Sequence, residues 1–189
     1  MNTHQESGLS FTFPENWIVR QFDKTPAYRS VSGHGLKGVD FLCLPPDDRL
    51  YFIEVKNYRS RNQQHKIVRR KPEALAEHVG RKFSDTKRLI RIVNRALRRG
   101  WWTSLLLYWY GLHRRPRPDG HYWFWMEAER RLADAGKLTC ILWLEMPDSS
   151  HPYRAVLAEA LEEWLEPENH LSINDTTDPG GLPLSVVLL

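Results

Sequence analysis

A chain of 189 residues, 41% hydrophobic and 26% charged, has the composition of a globular domain and can bury about 70% of its unfolded surface. Its two cysteines, Cys43 and Cys140, each lie inside an apolar run, which argues against a disulfide-stapled scaffold. The start, MNTHQESGLSFTFPENW, has no basic n-region or apolar h-region, and the longest apolar run, Trp101 to Leu112, is broken by Thr103, Ser104 and Gly111, so a cytoplasmic protein without a membrane span is expected.

Taken in chain order, Phe13 to Lys24 predicts a helix, with Pro14 in the first turn, Glu15 at its positive end and Trp17, Ile18 and Phe22 as an apolar stripe. Tyr28 to Ser32 reads as a short strand, followed by the glycine-rich loop SGHGLKG. Val39 to Leu44 and Leu50 to Asn57 are strands joined by PPDDR, which makes them an antiparallel hairpin with a five-residue loop. A basic loop over 60–71 leads into a long helix from Pro72 to Arg99, with Gly100 beyond its end and Gly80 as a suspected interruption. Trp101 to Trp109 fits either strand or helix, and His113 to Gly120 is a basic, proline-rich loop. Tyr122 to Ala135 predicts a helix, Leu138 to Met146 a core strand, Tyr153 to Leu165 an acidic amphipathic helix, Ser172 to Gly181 a loop and Leu182 to Leu189 a terminal strand. A single domain over 1–189 is expected, with 101–137 an insertion and 148–189 an acidic C-terminal extension.

Charge is distributed unevenly along the chain. Residues 56–117 hold 18 Lys and Arg against 3 Asp and Glu, a difference of +15, whereas residues 145–189 hold 1 against 9, a difference of −8. A basic segment of that weight suits a polyanion, although a solvated helix face has the same composition.

The hairpin carries the most informative chemistry. Paired symmetrically about Asp47, it sets Asp40 opposite Glu54, Leu42 opposite Phe52 and Leu44 opposite Leu50. Side chains alternate along a strand, so Asp40, Glu54 and Lys56 share one face within cross-strand reach. Opposed carboxylates repel, and Lys56 offsets only one of the two charges. A divalent cation would offset the rest, and Mg²⁺ is commonly held by one or two carboxylates with water and phosphate completing its shell. Asp40 and Glu54 are therefore candidate ligands for Mg²⁺ or Mn²⁺, and Lys56 a candidate stabiliser of charge on a phosphodiester. The competing explanation is an exposed strand face with an ordinary salt bridge.

GVDF at 38–41 and IEVK at 53–56, with thirteen residues between Asp40 and Glu54, resemble the PD-(D/E)xK nuclease superfamily. The resemblance implies a restriction-endonuclease-like α/β fold, a mixed central sheet flanked by helices with core order helix, three strands, helix, strand. It matches Asp40 and Glu54 to the two acidic positions and Lys56 to the lysine, while Val39 stands where the name-giving proline would be. Some members add an acid from the first helix, for which Asp23 and Glu15 are the candidates, Asp23 being favoured. Lys82, Asp85 and Thr86 on the long helix fit a subfamily pattern without an assignable role. The activity implied is metal-dependent hydrolysis of nucleic acid, DNA in the first instance.

Arg59, Arg61, Lys66, Arg69, Arg70 and Lys71, with Arg81 and Arg88 on the long helix, are candidate contacts to a phosphate backbone. His34 lies in the glycine loop, and Trp101, Trp102, Trp109, Trp123 and Trp125 could stack on bases or belong to the core. Two alternatives stand beside the nuclease. One is a non-catalytic nucleic-acid-binding module; the other docks a partner, either a second copy through opposite charges or a protein of a defence or repair system.

Overall fold

The computed structural model describes residues 2–31, 35–59, 71–98, 105, 121–147 and 151–189. In chain order the elements are β1 (Asn2–Glu6), β2 (Leu9–Phe13), β3 (Ile18–Gln21), α1 (Pro26–Val31), β4 (Phe41–Leu44), β5 (Leu50–Asn57) and α2 (Pro72–Leu97). They continue with α3 (His121–Ala133), β6 (Leu138–Glu145), α4 (His151–Glu162), β7 (His170–Asn174) and β8 (Ser185–Leu188). The class is mixed α/β.

Among the described residues the strands form two sheets, one of order β3-β4-β5-β6-β7 and one of order β1-β2-β8. In the larger sheet β3, β4 and β5 run antiparallel in succession, then β5, β6 and β7 run parallel. Parallel neighbours need crossovers; α2 and α3 lie between β5 and β6 in sequence, and α4 between β6 and β7. Leu50 and Phe52 of β5 and Cys140, Leu142 and Leu144 of β6 pack with Leu75, Val79, Phe83 and Ile90 of α2. The opposite face, with Tyr51, Ile53, Val55, Ile141 and Trp143, packs on Leu9, Phe11 and Phe13 of the smaller sheet. Both faces are covered, which explains why every residue of β6 is buried and why its sequence runs almost continuously apolar.

The hairpin has the register expected from its symmetry, with Phe41 opposite Ile53, Leu42 opposite Phe52 and Cys43 opposite Tyr51. The long helix is unbroken at Gly80, where a Cβ would lie 2.3 Å from the Trp164 ring; the glycine is there for a close approach, not an interruption.

Three further expectations fail. Residues 13–24 are not a helix: β2 ends at Phe13, β3 follows, and Phe22–Lys24 is a single 3-10 turn. Trp17, Ile18 and Phe22 fit a 3.6 period, but Trp17 and Val19 are buried and Ile18 and Arg20 are not, the alternation of a strand. Pairing of Ile18 through Gln21 with β4 decided between the two periods. The strand expected at 28–32 is α1, whose start is marked by Thr25, which accepts the Tyr28 N–H at 3.2 Å through Oγ1, and by Pro26. The loop expected over 172–181 begins inside β7, whose ladder partner among the described residues is β6. The N-terminal hairpin is an element beyond those expected: Ser7 and Gly8, both at positive φ (51° and 75°), turn β1 into β2 between alternating residues. The described part of segment 148–189, residues 151–189, packs on the rest of the chain, with α4 against α2, β7 on β6 and β8 on β2. Most of 101–120 lies outside the described residues. Among the described residues no helix is long and apolar enough to cross a membrane.

Candidate functional site

The helix-facing residues of β5 are apolar at Leu50 and Phe52 and then become Glu54 and Lys56 as the strand passes beyond β4. Asp40 sits where β4 begins. Its N–H donates to the Ile53 carbonyl at 3.1 Å, continuing the ladder by one bond. Its side chain then takes over from the backbone, for Oδ2 accepts the Val55 N–H at 2.7 Å. The carboxylate therefore lies along the end of the sheet, beside the Glu54 side chain.

Glu54 is fully buried. Lys56 donates to its Oε1, and Lys82 of α2 donates to the same carboxylate at 2.8 Å. The Lys82 Nζ also stands 3.6 Å from Asp40 Oδ1, so it bridges the two acids. Asp40, Glu54 and Lys56 are thus brought together, with Lys82 as a fourth member that the sequence marked without a role. Its helical neighbours hold the assembly in place. Thr86 accepts the Val39 N–H at 3.0 Å and donates to the Lys82 carbonyl at 2.7 Å, and Asp85 accepts the Lys37 N–H at 3.0 Å. Together they pin the segment leading into Asp40 against α2.

Burial raises the Asp40 carboxyl to about 6, and the Glu54 charge adds to the rise against the opposing pull of Lys82, the Val55 N–H and Lys56. Burial alone would lower Lys82, but the Glu54 and Asp40 carboxylates outweigh it and leave the ammonium above its ordinary range.

The other sequence candidates separate clearly. Asp23 lies at the Asp40 end of β3, where the neighbouring Phe22 N–H donates to the Asp40 carbonyl at 2.9 Å. Glu15 lies in the turn before β3, and Ile18 pairs with Leu44 at the far end of the ladder. Glu15 is therefore remote from the site. Glu6, unread in the sequence, comes to the Asp40 end instead. Gln21 Nε2 donates to the Gln5 carbonyl at 3.0 Å and Asn57 Nδ2 to the Ser7 carbonyl at 2.9 Å, holding the β1–β2 turn beside β3 and β5. Burial, then the charges of Asp40 and Asp23, raise the Glu6 carboxyl.

Arg59 is engaged in structure. Its Nε donates to the Met146 carbonyl at 2.6 Å and its guanidinium lies 3.5 Å from the buried Glu145. Lys71 stands at the N-cap position of α2 with no capping hydrogen bond from its side chain, and is exposed. Arg81 and Arg88 are exposed on one side of α2, Arg81 paired with Glu77 at 2.5 Å. Arg61, Lys66, Arg69 and Arg70, like His34, Trp101, Trp102 and Trp109, lie outside the described residues. Trp123 and Trp125 are buried core residues.

Two carboxylates offer the hard oxygen donors that Mg²⁺ or Mn²⁺ prefers, and Mg²⁺ keeps several waters when held this way. The donor set therefore fits such an ion, with Asp40 and Glu54 as its holders. Among the described residues no cluster of three or more His, Cys, Asp and Glu forms a fuller cage. A cavity of about 1020 Å³ beside Ile18, Leu44, Asp48 and Trp123 lies at the other end of the β4–β5 ladder, away from this chemistry. No protein-family model, curated protein or solved structure matches the chain.

Proposed function

We propose that this chain is a metal-dependent nuclease that hydrolyses phosphodiester bonds of nucleic acid, DNA being the substrate class favoured. The observation that carries the proposal is the convergence of Asp40, Glu54 and Lys56 at the end of the β4–β5 ladder. The order of three antiparallel strands, a long helix and a parallel strand supports a restriction-endonuclease-like core around them, with strands β1 and β2 in place of the leading helix of that order.

Asp40 and Glu54 would hold Mg²⁺ or Mn²⁺. A bound ion would supply a water of lowered pKa and stabilise charge on the scissile phosphate. Lys56, 23% exposed at the rim, can donate to a non-bridging phosphate oxygen or to the attacking water while Glu54 fixes its position. Arg81 and Arg88 provide exposed positive charge on the neighbouring helix.

A second proposal, a non-catalytic nucleic-acid-binding or partner-docking module, draws on a different observation. Lys56 and Lys82 already pair with Asp40 and Glu54, so the two carboxylates have counterions without a metal.

The test is cleavage of linear duplex, single-stranded and branched DNA and of RNA, with Mg²⁺ or Mn²⁺ and with EDTA, by the wild type and Lys56→Ala. Lys56 is the residue to change because Glu54 retains Lys82 when it is removed. Metal-dependent cleavage lost in the variant is the expected result. Binding without cleavage in both proteins would favour the binding module, and equal cleavage by both would remove Lys56 from the chemistry.

A further inference from the structure

Lys82 contacts both acids of the site. Its ammonium lies 2.8 Å from the Glu54 carboxylate and 3.6 Å from that of Asp40, whereas Lys56 makes its ion pair with Glu54. A cation coordinated by both carboxylates would have to lie between them, where this ammonium is. The charges show the same conflict. Asp40 and Glu54 sum to −2, and Lys56 and Lys82 to +2, so the quartet is neutral as it stands. A divalent ion added with both ammoniums in place would give the quartet a +2 excess around Glu54, which has no contact with solvent, and the nearby acids Glu6 and Asp23 lie on the Asp40 side and make no contact with either ammonium.

We propose that Lys82 is a resident counterion occupying the bridging position of the divalent cation, and that cation binding displaces its ammonium from Asp40 and Glu54. The proposal rests on the metal-dependent reading of the site. The route is short. The Lys82 side chain is 16% exposed, and its four-carbon stem lets the charged head swing toward solvent without the helix moving. The helix is restrained, because Thr86 and Asp85 bind the backbone of Val39 and Lys37. Displacement would leave the metal-loaded mouth with excess positive charge and a mobile ammonium beside it, which suits an anionic phosphodiester. Cation and phosphodiester then favour each other's binding, and the metal-free site stays closed to adventitious cations.

The experiment is Mn²⁺ binding to the full chain by calorimetry and electron paramagnetic resonance, comparing wild type, Lys82→Met and Lys82→Arg, with thermal midpoints recorded with and without Mn²⁺. Lys82→Met keeps most of the stem and removes the charge. It is expected to bind Mn²⁺ about tenfold more tightly or better, equivalent to about 1.4 kcal/mol, and to gain more in midpoint from Mn²⁺ than the wild type does. Lys82→Arg should remain near the wild type. Should metal-free Lys82→Met fail to fold, Mn²⁺ is expected to restore it, and failure to do so would overturn the proposal. Wild-type binding with equal or weaker affinity in Lys82→Met would also overturn it while leaving the metal-dependent reading intact. Absence of Mn²⁺ binding in all three proteins would overturn that reading and this proposal together.

Discussion

Glu54 holds two ammonium groups while having no solvent contact itself, and that burial determines what its removal does. Truncation would leave Lys56 and Lys82 in a partly buried pocket without their main partner, and breaking such an arrangement costs on the order of 3 kcal/mol. Glu54→Ala is therefore expected to lose about that much stability in urea titrations, whereas Lys56→Ala, which leaves Glu54 paired with Lys82, should lose clearly less. Loss of activity in Glu54→Ala alone would confuse chemistry with folding. Asp40 gives a second expectation. Its carboxyl is raised to about 6 in the folded chain, through burial first and the Glu54 charge second, so the folded state holds this proton more tightly than the unfolded state. Its contribution to stability is fully present below the ordinary carboxylate range, near pH 4, and is lost as pH rises through about 6. Thermal midpoints of the metal-free protein should carry this component between those values, and Asp40→Asn should remove it.

At the scale of elements, α2 does two jobs: one face fills the core with Leu75, Val79, Phe83 and Ile90, and Lys82, Asp85 and Thr86 organise the site. Gly80 belongs to the packing. Alanine is the better helix former by about 1 kcal/mol, yet its Cβ would lie 2.3 Å from Trp164 Cγ and 2.8 Å from its Cβ. Contact with the Cβ means that a ring rotation alone cannot relieve the clash. Gly80→Ala is expected to be destabilising by about 1–3 kcal/mol in chemical denaturation; a gain in stability would show that the Trp164 segment shifts freely. Elements with a strong local signature were legible. Helix α2 has its proline start and apolar stripe, β5 its bounds, and the β4–β5 hairpin its register through a period of two and a five-residue turn. Short segments were not. Residues 17–22 satisfy both periods, and β7 is a strand because β6 offers it a ladder. Helix α1 is a different failure, since Thr25 and Pro26 signalled its start.

Across the whole molecule, the chain ends meet. Strand β8 pairs with β2, and together with β1 they cover the sheet face behind the site and bring Glu6 to the Asp40 end. Charge remains segregated along the sequence, +15 over 56–117 against −8 over 145–189. If the basic part engages a phosphate backbone, log affinity for DNA should fall linearly with log salt, each neutralised phosphate contributing about 0.9 to the slope. Replacing Arg81 and Arg88 together by alanine is expected to reduce that slope by about 2, measured by fluorescence anisotropy across a salt series. An unchanged slope would remove this face of α2 from the interface.

The sequence by itself determined the hairpin register and, through strand alternation, the common face of Asp40, Glu54 and Lys56, because both follow from local periodicity and turn length. It also determined that this face carried two acids and one nearby lysine. Only the tertiary structure decided how that charge is balanced. Lys82 is twenty-eight residues from Glu54 in the chain, and nothing in a helical pattern says which lysine a core packing will deliver to a distant strand. The same holds for Glu6, brought in by a hairpin anchored on Gln21 and Asn57, and for Arg59, taken up by Glu145 at the end of β6 and by the Met146 carbonyl that follows it. Long-range pairing assigns partners to charges, and local pattern does not encode it.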